Sequence, residues 1–191
     1  MFNILLDEYP TEWNGYKVNT DFRVGIQIFQ ASEDTELNDY EKLQVYVMLL
    51  FKDKHPNDLQ TCADCVDWFL NSWCHDKNPK SSGMAVMNFD VDQGRIYSAF
   101  LSQYNIDLNY EDMHFWKFMY LLTNLEECSF TRVIDIRTKK IDAKASKEEK
   151  EYYKRAKKIY SLDMEVEKSE EDKLAEEEAV NEFLKALNRS K

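Results

Sequence analysis

The stretch that decides the fold is AFLSQYNIDLNYEDMHFWKFMYLL, residues 99–122. Its second half carries apolar side chains at 115, 118, 119 and 122, the i, i+3, i+4, i+7 spacing of an amphipathic helix. Trp116 and Tyr120 widen this apolar face, so two large aromatic rings must be covered by other parts of the chain or by a partner. The sequence therefore predicts a helix over 109–124 that is either the centre of a core or a docking surface.

Length and composition favour one helix-rich domain followed by a tail. The chain has 191 residues, of which 43% are hydrophobic and 14% aromatic, enough to build a core. Its four Gly and three Pro are few, which disfavours turn-rich β architectures. There is no long apolar run of the kind that spans a membrane, and the N-terminus lacks the features of a signal peptide. We expect an intracellular protein, with a single helical domain over 1–162 and an acidic tail over 163–191.

The remaining patterns predict a mainly α protein, a compact bundle of about six or seven helices with a small N-terminal β-hairpin. Asn14-Gly15 is typical of a two-residue hairpin turn, and residues 2–6 are a candidate additional strand. Thr20 or Asp21 caps a first helix starting at Phe22, although alternating apolar residues there also suit a strand. Further helices are predicted over 38–52, 57–73, 90–104, 130–139 and 146–160, with an exposed loop over 76–88.

Three groups of polar or thiol side chains could carry chemistry, and each has a simpler structural interpretation. The set Cys62, Cys65, Cys74 and His75 has the residue types of a zinc site. A straight helix would hold Cys65 and Cys74 roughly 13 Å apart, so we expect buried thiols instead. His114 lies near acidic residues without a nucleophile, and residues 90–94 lack the remaining ligands of a calcium loop. We therefore expect no catalytic, metal or cofactor site, and no enzymatic activity.

The net charge of −11 is distributed unevenly. Residues 137–158 carry 10 basic and 4 acidic side chains, whereas residues 163–191 carry 10 acidic and 5 basic ones. An acidic chain repels nucleic acid and anionic membranes, so neither is expected as a partner. Two hypotheses fit the basic block: a solvated helix face with Glu–Lys pairs, or a binding surface for the chain's own tail or another acidic protein.

The acidic tail contains sparse apolar residues that would share one side of a helix over about 170–187. These residues are Leu174, Val180, Phe183, Leu184 and Leu187. Such a helix is marginal in water alone, and segments of this kind often order on a partner. Two hypotheses remain open: a tail that only increases solubility, or one that folds back on the basic block, where it would occlude a binding site or link neighbouring copies.

Three motifs together resemble one family of phage proteins. They read NGYKVNTDFR at 14–23, IYSAFLSQYNIDL at 96–108 and MHFWKF at 113–118, and a closing pattern of Tyr and Lys ends at Leu162. They are similar to the small proteins encoded beside the tape-measure gene in siphophages and prophages of Gram-positive bacteria. The chain departs from that family at Asn105 and Phe115, where Gly and Trp are usual. The residues expected to have structural roles are Gly15, Thr20, Asp21, Phe22, Arg23, Asp107, His114, Phe115 and Phe118.

The resemblance implies a non-enzymatic tail-assembly protein, working in the cytoplasm of the bacterial host. Its members are regarded as tail-assembly chaperone-like, so we expect a chaperone that binds and solubilises the tape-measure protein and hands it to tail-tube subunits. Tape-measure and tail-tube proteins are therefore the expected partners, and self-association is a further expectation. A tail or connector component of the virion, and a helical protein that binds a host factor, remain alternatives. The residues expected to bind protein are Trp116, Tyr120, Tyr104, Phe183 and Leu187.

Overall fold

The computed structural model describes residues 2–73 and 86–162, which form a mainly α protein as predicted. A two-stranded antiparallel sheet of β1 (Glu12–Trp13) and β2 (Tyr16–Lys17) comes first. Seven helices follow within these ranges: α1 (Phe22–Glu33), α2 (Asp39–Leu50), α3 (Leu59–Asn71), α4 (Phe89–Tyr104), α5 (Phe115–Thr123), α6 (Ser129–Thr138) and α7 (Lys147–Ile159). None of these helices is long and apolar enough to cross a bilayer. The tail over 163–191 and most of the predicted loop lie outside the described residues.

The hairpin forms around Asn14 and Gly15, whose φ angles of 49° and 82° are those that a type I′ turn requires. Trp13 pairs with Tyr16 across the turn, and both rings pack half-buried against the helical core. The prediction of a further strand over residues 2–6 is wrong. Those residues form a local turn, in which the carbonyl of Asn3 accepts two backbone N–H groups. The turn satisfies the backbone groups that a strand would have offered to the sheet.

Polar side chains start α1, α2 and α7 at the predicted places. Asp21 begins α1 by accepting the backbone N–H of Arg23 at 2.8 Å. Asn38 and Glu41 form a reciprocal capping box at α2, and Ser146 caps α7. These bonds satisfy N–H groups that have no partner within their own helix. The segment after Asp21 is therefore helical, and the alternative of a strand there is wrong.

Helix α5 is shorter than predicted, because it begins at Phe115 and the segment over 105–114 is a loop. Asn105 ends α4 with a left-handed φ of 54°. Asp107 then closes a turn, its carbonyl accepting the N–H groups of Tyr110 and Glu111 at 3.0 Å. The amphipathic period is confined to the part of the stretch that follows His114.

Helix α5 is the centre of the core and contacts three other helices. The ring of Phe118 stacks on those of Phe22 in α1 and Phe100 in α4, with distances between ring centres of 4.9 and 5.1 Å. The ring of Phe115 stacks on Phe69 of α3 at 4.8 Å. Phe115 and Phe118 are both 0% exposed. Of the two interpretations of this apolar face, core and docking surface, the structure shows the core.

A buried ion pair between Asp92 and Arg137 joins α4 to α6. The guanidinium donates two hydrogen bonds to the carboxylate, at 2.6 and 3.0 Å. Its other N–H groups donate to the carbonyls of Val86, which precedes α4, and Tyr160, which follows α7. The guanidinium therefore also fixes these two segments of the chain. The sequence singled out Asp92 only as part of residues 90–94, which lack the remaining ligands of a calcium loop. The available signal was Arg137 itself, a cation at an inward position of α6 after Phe130.

Candidate functional site

The first and third sequence motifs meet at one corner of the molecule. The backbone of residues 20–22 pairs antiparallel with that of residues 113–115 around Asp21 and His114. Two backbone hydrogen bonds, of 2.7 and 3.0 Å, connect the two segments. The motif residues therefore position the start of α1 directly beside the start of α5.

Arg23 attaches the loop over 105–114 to the same corner. Its guanidinium donates to the backbone carbonyls of Leu108 at 2.9 Å and Glu111 at 3.1 Å. It also contacts the carboxylates of Asp21 at 3.1 Å and Asp112 at 3.3 Å. Because the two carbonyl contacts are directional, Arg23 fixes the path of the loop in addition to neutralising charge.

His114 caps α5 through a ring that is neutral. Its Nδ1 accepts the backbone N–H of Trp116 at 3.0 Å, and its Nε2 lies 2.9 Å from the carbonyl of Pro10. A backbone N–H can only donate and a carbonyl can only accept, so the proton must be on Nε2. The ring also stacks on Tyr9 at 4.9 Å. Burial lowers the pKa of His114, and the hydrogen bond to Pro10 opposes that shift in part.

A polar cleft of about 690 Å³ opens beside this corner, between the hairpin and the chain that follows α2. Its lining mixes the cations Lys17 and Lys52 with the carboxylates of Glu12 and Asp53. All four of these side chains are at the surface. A mixture of exposed charges of both signs selects no particular ligand, so the cleft is a weak candidate for a binding site.

An apolar groove between α2 and the start of α3 is a stronger candidate for binding another protein. It has a volume of about 400 Å³, and Val47 and Cys62 contribute to its lining. Tyr40 and Met48 on α2 and Leu59 on α3 border it, and they are 54%, 80% and 50% exposed. Clustered exposed apolar side chains are typical of interaction sites, and Met adapts to apolar partners of different shapes.

The α2–α3 groove was not predicted from the sequence. The helical period of α2 predicts that Leu43, Tyr46, Val47 and Leu50 face inward, and Leu50 is indeed fully buried. Tyr40 and Met48 are eight positions apart, roughly 80° around the helix, and both lie beside Val47 in the lining of the groove. Large apolar residues that widen the inward face of an amphipathic helix were the signal that sequence alone offered.

The residues that were expected to bind protein do not share one surface. Trp116 is 1% exposed, and its indole N–H donates to a backbone carbonyl of α3 at 2.8 Å, so it belongs to the core. Tyr104 and Tyr120 are half-buried, and their hydroxyls donate to backbone carbonyls at 3.0 and 2.6 Å. Phe183 and Leu187 lie outside the described residues. Among the described residues, the α2–α3 groove is one place where exposed apolar side chains are grouped.

The candidate zinc ligands are placed only in part. Cys62 and Cys65 are both buried in α3, and burial raises the pKa of Cys65 to about 12, which keeps its thiol protonated at neutral pH. Cys74 and His75 lie outside the described residues. Within residues 2–73 and 86–162, no three His, Cys, Asp or Glu side chains are grouped so that they could hold a metal ion.

Comparison with known proteins places the chain in a phage family. The family model described as "Bacteriophage Gp15 protein" matches residues 5–162, which includes the hairpin, the motif corner and α1 to α7. No curated protein and no solved structure gives a significant match. A model that matches most of the chain establishes the family and indicates a structural or assembly protein of a phage. The chain belongs to the Bacteriophage Gp15 protein family.

Proposed function

We propose that this protein assists phage tail assembly by binding the tape-measure protein. It keeps that protein soluble in the host cytoplasm and releases it to the tail-tube subunits. Family membership supports a structural or assembly protein of a phage. The sequence resemblance to proteins encoded beside the tape-measure gene supports the choice of partner. The protein acts by binding, without turnover and without a cofactor.

The observation that carries the proposal is the α2–α3 groove. Tyr40 and Met48 are separated by about two helical turns, roughly 12 Å, so the groove presents apolar surface along that length. An amphipathic helix fills such a groove with side chains at i, i+3, i+4 and i+7. The resemblance implies a tape-measure protein that is long, largely helical and interrupted by apolar stretches. One such stretch would bury Met48 and Leu59, which are now exposed to water.

The charge of the domain suits this role. Residues 1–136 carry 22 acidic and 10 basic side chains. A strong net charge of one sign keeps protein particles apart in solution. A bound apolar segment would therefore be covered by the groove and carried on an acidic, well-solvated body.

Co-expression with the tape-measure protein tests the groove directly. The substitution Met48→Asp places a charge on the apolar surface, and we expect the soluble fraction of the tape-measure protein to fall by about tenfold. Met48 is 80% exposed, so the substitution leaves the fold intact. Tyr110→Asp is the matched control, because Tyr110 is 87% exposed on the loop over 105–114, away from the groove.

Equal loss with both variants would show that added charge, not the groove, causes the effect. Full solubility with Met48→Asp and with Tyr40→Asp would reject the groove as the binding site. Mass spectrometry of purified virions distinguishes an assembly factor from a tail or connector component. An assembly factor is absent from the finished particle, and detection in stoichiometric amounts would reject the proposed function.

A further inference from the structure

A trough between α6 and α7 carries both cations and exposed rings, and we propose that the chain's own acidic segment, residues 163–191, occupies it. The trough has a volume of about 480 Å³ and includes Arg132, Lys139, Tyr152 and Tyr153 in its lining. A second hollow of about 440 Å³ shares Lys139 and Tyr153 with the first, so the two form one continuous surface. Most of this α6–α7 trough lies on the basic residues 137–158, although the carboxylates of Asp135, Asp142 and Glu149 also line it.

Of the cations that line the first hollow, Arg132 pairs with Glu127 at 3.0 Å, whereas Lys139 has no carboxylate partner in the part of the chain that the structure describes. Among the described residues of 137–158, the Glu–Lys pairs that were one hypothesis do not form, and Arg137 pairs with Asp92 of α4. Lys139 lies 5.6 Å from the ring centre of Tyr153, and Lys150 donates to a backbone carbonyl. Cations of residues 137–158 that form no ion pair with another described residue include Lys139, Lys140, Lys144, Lys147, Lys154 and Arg155.

Apolar contacts are available to hold a segment in place. Exposed ion pairs contribute little each, so charge by itself would set only the register. Tyr152 is 57% exposed on the trough, and Ile159 is 74% exposed at the end of α7. Residues 163–191 contain apolar side chains in addition to their 10 acidic residues, and these match the exposed apolar surface of the trough. These apolar side chains are Leu174, Val180, Phe183, Leu184 and Leu187.

Chain connectivity favours the segment of the same molecule over that of a second copy. The described residues end at Leu162, immediately after α7, which itself forms one wall of the trough. The carbonyl of Tyr160 accepts a 2.6 Å hydrogen bond from Arg137, so the segment starts from a fixed point on α6. α7 is about 20 Å long, well within the reach of twenty extended residues. Attachment at that distance gives an effective concentration in the millimolar range.

Carbodiimide cross-linking of the full chain tests the proposal, because this reagent joins a carboxylate to a lysine amine in direct contact. An equal mixture of unlabelled and heavy-isotope-labelled protein is treated, digested and analysed by mass spectrometry. We expect carboxylates of 163–191 to be linked to Lys139, Lys140 and Lys144, with both peptides of each pair carrying the same label. Mixed-label pairs would assign the trough to a second copy and overturn the proposal. The proposal would also be overturned if residues 163–191 were linked to Lys42 and Lys52 in the same yield as to Lys139, Lys140 and Lys144, or if they formed no links at all.

Substitutions separate specific docking from attraction between charges. Phe183→Ser and Tyr152→Ser remove apolar contact without changing charge, and each is expected to lower the cross-linking yield by about tenfold. Tyr110→Ser, on the loop over 105–114, is the matched control and is expected to leave the yield unchanged. An undiminished yield with Phe183→Ser would reject the apolar contact. The result does not depend on the identity of the assembly partner.

Discussion

At the scale of single residues, Gly25 allows α1 to pack directly on the ring of Phe115. A Cβ built at Gly25 overlaps three carbon atoms of that ring, which is fully buried. A Cβ built at Gly94, which also lies inside a helix, has no neighbouring atom within 4 Å. Packing against Phe115 therefore requires glycine at position 25, whereas position 94 has room for a larger side chain.

Replacing each glycine by alanine should change stability in opposite directions. Gly25→Ala is expected to lower the free energy of unfolding by about 2 kcal/mol, since overpacking outweighs the gain in helix propensity of about 1 kcal/mol. Gly94→Ala should raise it by about 0.5–1 kcal/mol. Urea unfolding measures both. A stabilised Gly25→Ala variant would mean that Phe115 can move aside.

His114 should make the protein sensitive to acid. Its pKa is lowered in the folded state, so the unfolded chain binds the proton more readily, and stability falls as the pH drops below the ordinary value of 6.5. Protonation of Nδ1 would turn the acceptor of the Trp116 N–H into a donor. His114→Asn can still cap α5 but does not titrate. We expect it to reduce the loss of stability measured between about pH 7 and about pH 5.

The comparison between parent and variant isolates the histidine. Tyr9, Asp21 and Asp112 are the other titratable groups at this corner, and they are the same in both proteins. Their contributions therefore cancel when the two proteins are compared. Identical pH dependence of unfolding in the two proteins would contradict the role of His114.

At the scale of elements, α5 holds the fold together because its rings reach three helices. Phe118→Ala removes a fully buried ring that stacks on Phe22 and Phe100, and it should cost about 3–5 kcal/mol. That is a large share of the 5–15 kcal/mol that usually separates folded from unfolded domains. Lys117→Ala on the exposed side of α5 is the control and should change stability by less than about 0.5 kcal/mol. Chemical denaturation decides between these outcomes.

The hairpin depends on the backbone conformation of its turn. Gly15 has a φ of 82°, and Gly15→Val would force a β-branched residue into this left-handed conformation. We expect a loss of about 1–2 kcal/mol, seen as a lower melting temperature. The space around Gly15 is open, so the loss would come from backbone strain alone. A variant that melts like the parent would mean that the turn adapts without cost.

At the scale of the whole molecule, the pair of Asp92 and Arg137 connects regions that are far apart in sequence. Arg137→Met would leave the carboxylate of Asp92, which is 0% exposed, without its main partner, and should cost about 3–5 kcal/mol. The double substitution with Asp92→Leu removes the buried charge as well. It should recover a part of that loss, because replacing a whole buried pair by apolar groups is often close to neutral.

Unfolding of the two single variants and the double variant forms a thermodynamic cycle. A double variant at least as unstable as the sum of the singles would mean that the pair contributes no coupling. The carbonyls of Val86 and Tyr160 lose their donor in both Arg137 variants, so this cost cancels when the two are compared. The loss of stability in the double variant minus the sum of the two single losses therefore measures the interaction of the two charges.

The sequence by itself determined the elements, because the forces that define them act over a few residues. Asp21, Asn38 and Ser146 accept backbone N–H groups two or three positions ahead, so the helix starts could be located from residue type. The turn at Asn14-Gly15 needs only its own φ angles. The helical period identified the apolar face of α5 and the burial of Phe118.

Only the tertiary structure decided what covers each face. Periodicity shows that Trp116 must be covered, but its partner is a carbonyl of α3, 47 residues away. The ion pair of Asp92 and Arg137 spans 45 residues, and no local pattern couples the two. The helix predicted from residue 109 starts late because Arg23, from a distant part of the chain, holds the preceding loop. The α2–α3 groove is also a tertiary feature, since whether a helix face is buried depends on which other helices reach it.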